Sequence, residues 1–316
     1  MKRESVMLDN FLMAGEQTLI VFLLMAVGFF CGKKKIIDDR LADGLAGFVV
    51  NIAMVGVIIL AFQREFEKKL VSEFLMSMII SAVGYGLAIA VAFLTFKKGN
   101  SERVSVLRNA AIFPNVAMMA LPMQAAMFGS DGVFCGAAHI AAFNLLFWPY
   151  CEIVLGGSNN KKALLKKIFL NPCVVATILG LAFFFTGIQI PKTPTTVLQH
   201  LSNLVLPLSM VILGQKLTRR PLNIIFRDTG GLISAAEKLV IVPLLMILLM
   251  KIFHIRGLAA ICTLISIASP AAANVGMVAV TYGQDAELAA SSVSVSTVLS
   301  LITMPLMIAV ATFVLL

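Results

Sequence analysis

Long apolar stretches interrupted by short charged ones dominate this chain. Ten runs are long enough to be spanning helices, each needing about 20 predominantly apolar residues. They fall at 11–31, 42–62, 71–96, 104–128, 132–155, 168–187, 197–216, 231–252, 257–281 and 288–315. The first is too long, and too closely followed by others, to read as a cleaved leader. The fourth and ninth differ from the rest because proline and polar residues sit in their middles. The expected fold is an all-α polytopic membrane protein.

A repeat with inverted orientation is written into the same pattern. Asn115-Val116-Ala117-Met118-Met119-Ala120 in the fourth run matches Asn274-Val275-Gly276-Met277-Val278-Ala279 in the ninth. Each is preceded by a proline, Pro114 or Pro270, and followed by an aromatic-Gly-x-Asp turn, Phe128 to Asp131 or Tyr282 to Asp285. A second match sets Val49 to Val55 against Val205 to Val211, placing Pro207 where the first copy has Asn51. The repeats are expected over 1–157 and 166–316, joined by a polar linker over 158–165 that begins within Gly156 to Asn160. Five spans per repeat is an odd number, so the second copy enters the membrane upside down.

Composition narrows the class further. Of 316 residues, 59% are apolar and 13% charged, with mean hydropathy +0.97. Ordinary soluble domains are near half apolar and a quarter charged. The net charge of +9 would suggest nucleic acid in a soluble protein. Here it is explained by basic loops, and no nucleic-acid partner is expected. Sixteen Lys and Arg fall on the side of Lys33 to Arg40, Lys97 to Arg108, Lys161 to Lys167 and Lys216 to Arg227, against eight on the other. The positive-inside rule places the first set in the cytoplasm and both termini outside, in a bacterial-type inner membrane. Five scattered cysteines with no C-x-x-C spacing read as small apolar residues.

Inverted repeats with interrupted helices are the architecture of secondary transporters, which bind substrate near the midplane. Breaking a helix in hydrocarbon frees N–H and C=O groups that cost several kcal/mol each unless satisfied, so such breaks line polar cavities. Pro114, Pro122 and Pro270 are the expected break points. Asn115 and Asn274 can cap the half-helices that follow, whose positive ends favour an anion. The substrate-binding candidates are Asn115, Val116, Asn274, Val275, Ser269 and Asn51. His139 and Glu237 are candidates for a proton relay, and Lys238 is expected to snorkel to the interface. There is no nucleotide-binding loop, zinc motif or nucleophile elbow, so neither enzyme activity nor a cofactor is expected.

These residues resemble the auxin efflux carrier family over nearly the whole chain. The carrying segments are Asn109 to Gly129, Asn171-Pro172, Leu206-Pro207-Leu208 with Gly214, Glu237 to Pro243, and Ala268-Ser269-Pro270 on to Met304-Pro305-Leu306. The resemblance implies ten spans, with spans 1, 2, 6 and 7 as scaffold and homodimer surface. Spans 3–5 and 8–10 would form a moving unit, with spans 4 and 9 crossing at unwound centres and transport by an elevator movement. It also implies a carboxylate substrate, since relatives carry auxin, malate or malonate. The expected function is therefore transport of a small organic mono- or dicarboxylate across the bilayer. An anion channel and a ligand-sensing receptor are the alternatives on the same fold.

Overall fold

The computed structural model describes residues 2–97, 99, 101–155, 165–166, 168–219 and 226–315, with side chains described from 16 onward except 17 and 18. Most of the expected linker, together with Lys98, Lys161, Lys162, Lys167 and Arg220 of the charge pattern, lies outside them. The described residues are helical, without a strand. In order they form α1 (Lys2–Lys33), α2 (Asp39–Phe48), α3 (Met54–Ala61), α4 (Lys68–Thr95), α5 (Ser101–Ile112), α6 (Leu121–Val154) and α7 (Pro172–Thr186). Then follow α8 (Lys192–Asn203), α9 (Val205–Lys216), α10 (Thr229–Ala236), α11 (Val242–Ile252), α12 (Leu258–Ile267), α13 (Asn274–Thr281) and α14 (Ala286–Leu315). Among the described residues six helical stretches are long and apolar enough to cross a membrane, and three shorter apolar helices accompany them.

Three wide π turns, Val49–Ala53, Val116–Ala120 and Glu237–Ile241, join α2 to α3, lead into α6 and join α10 to α11. Two have a legible cause. Pro122 and Pro243 each stand two residues past the turn, and a proline can neither donate to the carbonyl four residues back nor clear it sterically. The ladder widens by one residue instead, with Leu121 N–H donating to the Val116 carbonyl and Val242 N–H to that of Glu237. Pro122 therefore does not break its helix as expected; it widens the turn before it.

The true interruptions lie elsewhere. The chain leaves helix between Ile112 and Val116, and again between Ile267 and Asn274. The turns after the two half-helices share a device. Gly129 (φ +58°) and Gly283 (φ +65°) both take the left-handed conformation that costs other residues energy. Gly129 is a non-helical point inside α6, dividing it where the sequence predicts one span to end and the next to begin.

Helix packing gathers the elements into two groups. In one, α1 runs along α9, α2 packs on α9, and α3 packs on α7 and α8. In the other, α6 packs on α4 and α12, and α14 packs on α5, α10, α12 and α13. The α1–α9 crossing brings backbone against backbone. A Cβ added at Gly28 would lie 2.0 Å from the Val211 carbonyl oxygen, and one at Gly214 would lie 1.9 Å from that of Met25. Such close approach of small residues is how helices associate where water supplies no driving force. At one end of the bundle Phe62, Phe74, Phe134 and Phe184 form a packed aromatic cluster. Arg64 stacks over Phe134 and pairs with Asp131 at 2.6 Å.

Gly214→Val is expected to force α1 and α9 apart, at a cost of about 1–3 kcal/mol or more. The check is thermal unfolding in detergent, where this variant should lose markedly more stability than Gly276→Ala, whose added Cβ meets nothing within 4 Å.

Candidate functional site

The two interrupted segments cross and hydrogen-bond to each other. Asn115 N–H donates to the Pro270 carbonyl at 2.7 Å, and Ala272 N–H donates to the Phe113 carbonyl at 2.9 Å. The result is a single antiparallel bridge, Pro114 opposite Ala271. Ala271 N–H donates to Ser296 Oγ on α14 at 3.0 Å. Each break thus satisfies much of the other's freed backbone, which a lone kinked helix in hydrocarbon could not do.

Just beyond the break Asn115 acts as an N-cap. Its Oδ1 accepts from Met118 N–H at 3.3 Å, and its carbonyl accepts from Met119 and Ala120 N–H. Asn274 occupies the mated position but is the first residue of α13; Ala273 precedes it as cap residue, and no side chain caps that helix. The sequence symmetry is therefore not a symmetry of capping. Asn274 is left with its amide uncommitted to its own helix.

A cavity of about 90 Å³ lies against the crossing. Asn115, Val116, Met118, Ala272, Ala273 and Asn274 line it from the broken segments, and Ile140, Phe143 and Asn144 from α6. Val50, Asn171 and Cys173 close it from the other packing group. Four asparagines thus face one small space. Three helix starts also converge on it, those at Val116, Asn274 and Pro172. Each start carries the positive end of its helix dipole, while its first N–H groups are largely met locally, Val116 N–H by the Pro114 carbonyl, Val275 and Gly276 N–H by those of Ala272 and Ala273, and Cys173 and Val174 N–H by Asn171 Oδ1. No acidic side chain lines the cavity. The arrangement places positive dipole ends and asparagine amides around a space that no acidic side chain lines. Among the described residues no cluster of His, Cys, Asp or Glu could hold a metal ion, and all five cysteines are free.

A family profile described as "Membrane transport protein" matches residues 13–162 and 151–308. The chain belongs to this family, that of the auxin efflux carriers. Among its relatives is an uncharacterized transporter of Methanocaldococcus jannaschii, 26% identical over 298 residues, 91% of this chain and 96% of that protein. Another, from Methanothermobacter thermautotrophicus, is 25% identical over 300 residues, 94% and 98% of the two chains. The "Putative malonate transporter" of Rhizobium meliloti is 28% identical over 198 residues, 60% of this chain and 59% of its own. The protein is thus a multi-pass membrane protein of a transporter family.

In this chain the other expected binding residues lie off the cavity. Val275 is buried behind Asn274, and Ser269 is fully buried with its hydroxyl donating to the Ile265 carbonyl at 2.8 Å. Asn51 is exposed and donates to the Gly47 carbonyl at 2.8 Å. Its neighbour Val50 faces the cavity instead. Pro207, the residue mated to Asn51, lines a second cavity of about 420 Å³ with Val57, Leu121, Pro122 and Asn203.

His139 is engaged on both ring nitrogens, with Ser81 Oγ 2.6 Å from Nδ1 and Tyr85 OH 2.8 Å from Nε2. Ser81 already donates its one hydroxyl proton to the Ser77 carbonyl, so it accepts from Nδ1–H while Tyr85 donates to Nε2. That is a neutral, fully satisfied imidazole tying α4 to α6. Gln124 ties the broken segments together in the same way, donating to the Cys262 carbonyl and to Ser266 Oγ. Glu237 is fully buried and neither carboxyl oxygen has a hydrogen-bond partner. Lys238 does not reach an interface: it is 1% exposed, and its Nζ donates to the Ile112 carbonyl.

At the end of the bundle bearing the start of α5, Arg103 bridges Asp228 at 2.5 Å and Asp285 at 3.7 Å. Burial pushes the Asp228 carboxyl up, but the Arg103 hydrogen bond and the N–H of Gly231 outweigh it and hold the group below the usual carboxylate range. A lowered value means this pair stabilises the fold above the ordinary carboxylate pKa and is lost as pH falls through the lowered one.

Asn144 and Asn171 are the residues a reading of the repeat passes over, since neither belongs to the matched segments. Asn171-Pro172 does carry a local signal, a capping side chain followed by proline at the first helical position. Its Oδ1 accepts from Cys173 and Val174 N–H.

Replacing Asn171 with Ala is expected to cost about 1 kcal/mol through loss of the α7 cap. Asn144→Ala removes only a bond to its own helix, from Nδ2 to the Ile140 carbonyl, and is expected to leave the unfolding temperature near the parent's. Thermal unfolding of the two variants side by side tests the assignment.

Proposed function

We propose that this protein is a secondary transporter of a small organic anion, a mono- or dicarboxylate. The observation that carries the reading is the convergence of three helix starts and four asparagine amides on one cavity that holds no acid. A carboxylate there meets N–H donors and positive dipole ends without needing a lysine or arginine partner. The malonate named for the Rhizobium relative has that chemistry.

The transport movement we infer is an elevator. Its support is that the cavity lies between the two packing groups: Val50, Asn171 and Cys173 on one side, and the crossed segments with α6 on the other. Sliding the second group along the first would carry the Asn115–Asn274 crossing past Val50 and expose it at the opposite face. The reading includes ten spans as two inverted five-span repeats. The mated breaks and the mated left-handed glycines, Gly129 and Gly283, support it. The basic loops support cytoplasmic placement of the Arg103 end.

Purified protein reconstituted in liposomes is expected to take up radiolabelled malonate with saturation, and short mono- and dicarboxylates to compete. A linear, non-saturating flux with measurable conductance would favour the channel reading. Asn115→Ala and Asn274→Ala are each expected to weaken malonate binding by roughly tenfold or more, the size of a lost hydrogen bond to a charged group. Isothermal titration on folded protein checks this; parent-like affinity in both variants would remove these residues from the site.

A further inference from the structure

The two breaks are mated in sequence but not in charge. At the second break the carbonyls of α12 are met by neutral donors. Gln124 Nε2 takes the Cys262 carbonyl, Ala268 N–H that of Leu264, Ser269 Oγ that of Ile265, and Ser269 N–H that of Ser266. At the first break the last carbonyl of α5, that of Ile112, accepts instead from the Lys238 ammonium at 3.2 Å. The Lys238 amine is 1% exposed and is carried on the π turn between α10 and α11. Beside it in sequence Glu237 is buried, with both oxygens unbonded and Thr95 of α4 nearby.

A buried ammonium in a membrane protein is costly and persists only where other charges compensate it. Here the compensation is the C-terminal end of α5, which carries the negative end of a helix dipole, together with the adjacent Glu237 carboxyl. In transporters with interrupted helices, unwound carbonyls and half-helix C-terminal ends are the groups that coordinate a coupling sodium ion. Lys238 puts a covalently attached cation against such an end.

We propose that Lys238 is a tethered cation standing in for a diffusible coupling ion, so that transport needs no sodium. The inference rests on the transporter reading above and concerns the ion, not the substrate. Wide turns of this kind recur at functional positions in helices. This one directs Lys238 across the packing to the broken segment.

The test compares parent, Lys238→Met and Lys238→Arg by thermal unfolding in detergent, in NaCl, LiCl and N-methylglucamine chloride at matched ionic strength. The parent is expected to be indifferent to the cation. Lys238→Met is expected to unfold about 5 °C lower in N-methylglucamine and to be restored saturably by Na⁺ or Li⁺. Lys238→Arg should stay near the parent in all three salts. Saturable stabilisation of the parent by Na⁺ overturns the proposal. So does a Lys238→Met deficit that no alkali cation reduces, because the lysine would then be a helix cap alone. Should Lys238→Met fail to fold in every salt, the parent decides: indifference to Na⁺ in unfolding and in malonate uptake upholds the proposal, and dependence ends it. The unfolding measurement requires no substrate, so failure of malonate to bind would count against the substrate reading and leave this one standing.

Discussion

Two backbone hydrogen bonds, Asn115 N–H to Pro270 and Ala272 N–H to Phe113, are what allow the centre of this protein to exist. A helix broken in an apolar environment exposes peptide groups at several kcal/mol each. Crossing two breaks lets each supply donors or acceptors to the other, and the surrounding side chains finish the accounting: Ser296 for Ala271 N–H, Asn115 Oδ1 for Met118 N–H, Lys238 for the Ile112 carbonyl. The helix starts at Val116 and Asn274 line a cavity. Polarity at the site is therefore a consequence of how the break is stabilised and is not assembled from charged side chains brought in for binding.

That origin shapes what the site can recognise. Amides and dipole ends are weaker and less localised than a guanidinium, which fits the proposed role of a carrier that must release its cargo as well as bind it. Around the crossing several polar groups bond helix to helix. His139, Ser81 and Tyr85 lock α4 to α6, and Gln124 locks α6 to α12, so that the half carrying the site can behave as one body. Small residues do the equivalent work in the other half, where Gly28 and Gly214 bring α1 and α9 into backbone contact.

Proline has two different effects here, and only context separates them. Pro114 and Pro270 sit where the chain has already left helix and their carbonyls or neighbours join the bridge. Pro122 and Pro243 lie within continuous helix, where a one-residue widening of the preceding turn absorbs the missing donor. A proline at a helical position thus marks a stressed ladder. At these four prolines the difference is that a crossed partner segment accepts the freed groups at Pro114 and Pro270, whereas Pro149 and Pro305 sit inside helices with neither a break nor a widened turn.

Local features were legible in the chain itself: the apolar runs that require a bilayer, the paired Pro and Asn of the fourth and ninth runs, the glycine turns at 129 and 283, and the Asn171-Pro172 start. Each depends on a few neighbouring residues whose conformational preferences are intrinsic. What the tertiary structure alone decided is which side chains meet. Successive residues on a helix point about 100° apart, so a rotation of one residue exchanges Asn51 for Val50 at the cavity wall. Packing sets that rotation. The same holds for Asn144, which joins the site from a helix outside the matched segments, and for Lys238, which turns inward because a carbonyl end near enough to accept it lies on a segment 126 positions away in sequence. Polar residues in an apolar chain announce that they have partners; only the folded arrangement says who the partners are.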